Sequence, residues 1–111
     1  MEILYENKKL KELFSDTNKL ATKVDLHLLK IIKRRFLELM AADTLSDYLK
    51  LGLGKPHLLT GNLKGYYATK LDANKRLIFK PIYENNQNEC SKVMIKGVID
   101  YHGSKTTLYL S

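Results

Sequence analysis

Gly65-Tyr66-Tyr67-Ala68-Thr69-Lys70-Leu71-Asp72-Ala73-Asn74-Lys75-Arg76-Leu77-Ile78-Phe79-Lys80 carries the main signal of the architecture. Residues 66–71 alternate apolar and polar side chains, and so do residues 76–83. A strand sends successive side chains to opposite faces, so this alternation marks strands with one buried face. Asp72-Ala73-Asn74 between them supplies turn chemistry, because short polar side chains bond their own backbone and tolerate tight φ/ψ. The whole reads as a β-hairpin.

Working outward, residues 93–102 form the next strand and residues 106–110 a further short one. The polar run 84–91 is the loop before residue 93. Upstream, Gly52, Gly54, Pro56, Gly61 and Gly65 punctuate residues 43–65, where continued helix is not expected. Earlier still, Val24, Leu28, Ile31, Ile32, Phe36, Leu39 and Met40 recur at helical spacing. Asp25 is their N-cap, and the helix runs to about residue 42. Lys30, Lys33 and Arg34 occupy its opposite face. A first helix spans Lys8–Ser15 on Leu10, Leu13 and Phe14, and Ile3-Leu4-Tyr5 is a short strand. The expected fold class is α+β: a mostly antiparallel, twisted sheet with two N-terminal helices packed on one face, in one domain over residues 1–111.

Composition narrows the function. The 111 residues carry 19 Lys and Arg against 12 Asp and Glu, a net charge of +7. Such a surface concentrates polyanions, so nucleic acid or an acidic protein partner is favoured over a merely well-solvated domain. The lone Cys90 rules out an internal disulfide framework and fits a reducing compartment. No apolar run reaches the roughly 20 residues that cross a bilayer. Met1-Glu2-Ile3-Leu4-Tyr5-Glu6 lacks the basic and apolar regions of a signal peptide. The expectation is a soluble cytoplasmic protein with no membrane partner.

Period two also sorts the polar strand residues. Leu77 and Phe79 point one way, Arg76, Ile78 and Lys80 the other. In the next strand Ile95, Gly97, Ile99 and Tyr101 share a face, opposite Met94, Lys96, Val98, Asp100 and His102. If Leu77, Phe79, Ile95 and Ile99 pack on the helices, then Arg76, Lys96, Asp100 and His102 line the uncovered side. Two cations, a carboxylate and an imidazole suit attack of a ribose 2′-hydroxyl on its own 3′-phosphate. That reaction needs a base, an acid for the leaving oxygen, and a cation on the developing charge. Histidine serves the first two because its unperturbed pKa is about 6.5. Arginine serves the third with a planar fork that grips two phosphate oxygens. Three scattered histidines and one cysteine match no zinc spacing, and no acidic cluster offers a two-magnesium site, so neither metal nor cofactor is expected. Each residue also has a plain structural reading. His27 fits a helix surface, His57 a loop beside Leu58 and Leu59, and Arg76 and Lys96 a solvated strand.

Three segments in order resemble the HigB-type toxins of the RelE superfamily. Pro56-His57-Leu58-Leu59-Thr60-Gly61-Asn62-Leu63-Lys64-Gly65-Tyr66-Tyr67 is similar to their His-x-Leu-Lys-Gly-Asp-x-x-Gly-Tyr-Trp segment. Ala73-Asn74-Lys75-Arg76-Leu77-Ile78-Phe79 resembles their Ala-Asn-Trp-Arg-x-x-Phe strand, and Ile99-Asp100-Tyr101-His102 their terminal Asp-Tyr-His. Thr60, Lys75 and Tyr67 depart from the usual Lys, Trp and Trp. The resemblance implies a RelE-like fold and metal-independent cleavage of messenger RNA, commonly on the ribosome. His57 and His102 would then be the acid–base pair, Arg76 the holder of the scissile phosphate, and Asp100 an orienting carboxylate. Tyr101 would position the nucleotide, and Lys64, Lys75 and Lys96 would contact the substrate. The implied partner is a helix-turn-helix, HigA-like antitoxin, through which alone the chain would meet operator DNA. Two other readings stand beside this one: a ParE-like binder of a topoisomerase or a regulatory subunit without catalysis, and an unrelated basic RNA-binding module.

Overall fold

The structure, a computed structural model, describes residues 1–84, 89–103 and 105–111. Part of the expected polar loop, residues 85–88, lies outside the described residues. The elements run β1 (Glu2–Tyr5), α1 (Lys8–Ser15), α2 (Thr17–Ala21), α3 (Leu26–Ala41), α4 (Leu45–Leu51), β2 (His57–Leu58), β3 (Tyr67–Lys70), β4 (Lys75–Ile82), β5 (Lys92–His102) and β6 (Lys105–Leu110).

Each helix starts on a side chain that accepts an otherwise orphaned amide. Asn7 takes Leu10 N, Asp16 takes Asn18 N and Lys19 N, Asp25 takes Leu28 N, and Thr44 takes Asp47 N. Among the described residues there are four α-helices, not two. The fourth falls in the stretch expected to be loop. It forms because Thr44 caps one end and Gly52, at φ 68°, closes the other in the left-handed conformation. Its Tyr48 is fully buried, with its hydroxyl 2.8 Å from Thr69 Oγ1 and 3.1 Å from the Leu53 carbonyl.

The sheet order is β1-β5-β4-β3-β2, with β6 also pairing β5. β1 runs parallel to β5 and every other pair is antiparallel, so the sheet is mixed. One face packs on the helices: Leu77, Phe79, Val93, Ile95 and Val98 join Leu28, Ile32, Leu39, Leu45 and Tyr48 in the main core. The other face carries a smaller cluster of Ala68, Ile78 and Ile99. Leu59, Leu63, Tyr66 and Tyr101 pack against it.

Ile99 was expected among the helices and lies on the far face. The cause is a β-bulge. Ile78 pairs with Gly97 but Phe79 pairs with Ile95, which leaves Lys96 over. One extra residue inverts the facing of everything beyond it. Gly97 permits the kink with φ at 145°, and a Cβ there would run into the Leu110 carbonyl oxygen of β6.

Candidate functional site

The bulge divides the expected site. Paired residues of antiparallel strands share a face, and Arg76 pairs with Ile99 while Lys75 pairs with Asp100. Arg76 and Tyr101 therefore lie on the far face, the guanidinium 5.8 Å from the Tyr101 ring centre. Asp100, His102 and Lys75 lie on the opposite side, the helix side, at the end of the sheet. The expectation that Arg76, Lys96, Asp100 and His102 share one side is corrected accordingly. Lys96 stays with Arg76, while Asp100 and His102 do not.

The turn Asp72-Ala73-Asn74 holds this end together. Asp72 Oδ1 accepts from Asn74 N at 2.9 Å and Lys75 N at 2.7 Å. Burial alone would raise the Asp72 carboxyl. The two amides and the Lys75 ammonium outweigh it and hold the group below its ordinary value. Arg76 Nη1 donates to the carbonyls of Asp72 at 2.8 Å and Lys75 at 3.0 Å. Among the described residues Nε and Nη2 make no hydrogen bond, so one edge of the fork is open to an anion.

On the helix side, His102 Nε2 lies 2.9 Å from Asp100 Oδ2, with Lys75 Nζ 3.9 Å from the same oxygen. The carboxylate is 8% exposed and the imidazole 60%. A carboxylate at this distance from Nε2 favours the neutral tautomer with its proton there, which puts the lone pair on Nδ1. Asp100 Oδ1 is buried with no partner among the described residues. Lys75 also reaches Asp72 at 3.5 Å and sits 5.0 Å above the Tyr109 ring.

His57 lies on β2. It pairs with Ala68, which pairs with Ile78, which pairs with Gly97. His102 is five residues beyond Gly97 on the third strand over. The His57 ring is exposed, with Nδ1 3.4 Å from the Lys55 carbonyl. Lys55 holds a φ of 48°, an uncommon conformation for a residue with a side chain. Lys64 is exposed after the short turn Gly61–Leu63.

Between that turn and the sheet end, Leu59, Thr60, Asn62, Leu63, Tyr101 and Thr106 line an open groove of 430 Å³. Tyr66 and Lys80 also belong to this charged and aromatic face, although sequence reasoning did not single them out. For Tyr66 and Lys80 the signal was available, since both fall on the Arg76 side by alternation. Among the described residues no group of three His, Cys, Asp or Glu is placed to hold a metal ion, and no helix is long and apolar enough to cross a membrane.

Comparison with known proteins places this surface on a familiar frame. No protein-family model matches the chain. Over 52 residues it is 40% identical to toxin YoeB of Streptomyces coelicolor, a stretch covering 47% of this chain and 58% of that protein's length. Among solved structures, the YoeB/ParE toxin from Agrobacterium tumefaciens superposes with a TM-score of 0.59 at 14% identity, over 92% of this chain and 100% of that one. The YoeB–YefM complex from Staphylococcus aureus gives a TM-score of 0.56 at 20% identity, over 92% of this chain and 97% of the other. The α+β arrangement of a mixed sheet with four helices is thus the fold of YoeB- and RelE-like toxins.

Proposed function

We propose that this chain is the toxin of a type II toxin–antitoxin pair, within the YoeB/ParE/RelE group, and that it cuts messenger RNA without a metal ion. The fold likeness and the 40% identity to a YoeB toxin over 52 residues support the group. The finer HigB-like assignment rests on the order of the three sequence motifs.

The observation that carries the chemistry is the sheet end. A buried carboxylate steers an exposed imidazole there, and a guanidinium with an open edge lies one residue pair away on the other side. His102 Nδ1 takes the 2′ proton or, once the ring is protonated, delivers one to the leaving 5′ oxygen. Asp100 is a positioning residue: it sets the tautomer and stabilises the imidazolium that forms. Arg76 neutralises the charge that builds on the phosphate, and Tyr101 stacks on the nucleotide. Lys64, Lys75 and Lys96 hold neighbouring phosphates. His57 supplies the other half of the acid–base pair, so that one imidazole takes the 2′ proton while the other protonates the leaving oxygen.

The YoeB–YefM complex from Staphylococcus aureus supports an antitoxin as the silencing partner. The motif resemblance favours one with a helix-turn-helix domain and cleavage on the ribosome in the cytoplasm. Expression of the chain alone in bacteria is expected to arrest growth and create new messenger RNA ends, visible by primer extension. His102→Ala and Arg76→Ala should abolish both, and a 2′-deoxy residue at the cut position should block cleavage. Arrest that survives both substitutions would transfer the function to a second reading, a ParE-like binder of a topoisomerase.

A further inference from the structure

The far face carries a second charged arrangement that the chemistry at the sheet end does not use. Tyr66 lies half-buried against the Ile78 cluster, and two ammonium groups sit over its ring. Lys80 Nζ is 5.5 Å and Lys96 Nζ 5.4 Å from the ring centre. The Tyr66 hydroxyl donates to Glu6 Oε2 at 3.1 Å, and Lys96 Nζ lies 3.5 Å from Glu6 Oε1. One carboxylate thus spans a phenol and an ammonium, each oxygen on its own donor. Two oxygens of a phosphodiester would make the same two contacts and would also feel Lys80, which has no ion pair among the described residues.

Glu6 is well placed to leave. It belongs to the short connection between β1 and α1, and its backbone is anchored by the bond from its own N–H to the Ile95 carbonyl at 3.0 Å. Its side chain extends from that anchor onto the surface and is 30% exposed, as Lys96 is at 29%. A solvent-screened pair of this kind contributes little to stability, so a polyanion competes with it readily. Burial, followed by the Glu6 contact, holds the Tyr66 hydroxyl above its ordinary pKa.

We infer that Tyr66, Lys80 and Lys96 form a subsite for an RNA backbone phosphate away from the scissile one, and that Glu6 fills it in the free protein as an internal stand-in that RNA displaces. The inference takes its ligand from the nuclease reading above. Lys80 lies four residues from Arg76 on β4, about 13 Å at ~3.3 Å per residue, so the two cations hold different phosphates.

The test is fluorescence anisotropy with a single-stranded 2′-O-methyl oligoribonucleotide, which binds but is not cut, at several salt concentrations. Glu6→Gln should tighten binding roughly threefold, the scale of a screened ion pair. Lys96→Met and Lys80→Met should each weaken it by a similar factor. In the Lys96→Met background, Glu6→Gln should lose most of its effect, because its partner is gone. Asp43→Asn, an exposed acid elsewhere, measures the part due to net charge alone and should give the smaller change. Wild-type affinity in Glu6→Gln, or an undiminished gain in the double variant, would overturn the stand-in role. If authentic RNA is cut but none of these variants alters binding, the subsite falls and the nuclease reading stands. If binding follows the expected pattern and no RNA is ever cut, the subsite stands and the nuclease reading falls.

Discussion

The two faces of the sheet were built by different rules. The helix face is one continuous core in which four helices bury Leu, Ile, Phe and Tyr at regular spacing. The far face has only Ala68, Ile78 and Ile99 fully buried, roofed by Leu59 and Leu63 from the connecting loop and rimmed by Arg76, Lys80 and Lys96. Regular periodicity produces a face that stabilises. A broken period produces one that presents polar groups. Gly97 is the break, and Lys96 is its extra residue.

The largest effect on this contrast is expected from Gly97→Ala. A side chain at φ 145° is strained, and its Cβ meets the Leu110 carbonyl oxygen, which belongs to backbone and cannot swing aside. A cost of about 3 kcal/mol is expected. Thermal or urea unfolding would measure it. A variant as stable as the wild type would show that the strand tolerates an unbulged register.

Tyr48→Phe comes next and probes the helix face. It removes the hydroxyl that bonds Thr69 Oγ1 inside the core, for about 1–2 kcal/mol. The same hydroxyl gives a pH signature. Burial raises the Tyr48 pKa above its ordinary 10.0, so its stability is fully present below that value and is lost as pH rises through the raised one. Unfolding followed from pH 8 to 11 should show an alkaline loss that is smaller in Tyr48→Phe. Equal losses in the two proteins would assign the titration to other tyrosines.

The smallest effect belongs to the sheet end. Asp72 has a lowered folded-state pKa, so its contribution is present above the ordinary 3.8 and disappears as pH falls through the lower value. Asp72→Asn should cost under about 1 kcal/mol at pH 7, because the group is partly solvated, and should flatten the acid limb of the stability profile. An unchanged acid limb would mean that the turn does not depend on this charge.

Much of the architecture was legible in the chain. Helices α1 and α3 and strands β1 and β3–β6 fall within a residue or so of where periodicity and caps put them. Helix α4 was missed because seven residues make too short a period. Thr44 with Asp47 three positions on, and Gly52 beyond, spelled out its ends nonetheless. Strand β2, two residues long, has no period to read. The site was legible as a set of residue types and not as a geometry. Counting by twos through Gly97 put Arg76, Asp100 and His102 on one side. A glycine inside a strand is itself the mark of a bulge, and that reading would have separated them. The distance from His57 to His102 depends on strand order, which local sequence does not encode.

The most direct test of this account is the single-turnover cleavage rate of ribosome-bound messenger RNA by His102→Ala and by His57→Ala. A residue that moves a proton in the transition state contributes about 10² to 10⁴ in rate, and one that only contacts RNA contributes much less. His102→Ala and His57→Ala should therefore both fall into that range in the rate at saturation. A His57→Ala variant that loses only affinity, with the rate at saturation unchanged, would contradict the assignment of both imidazoles to proton transfer.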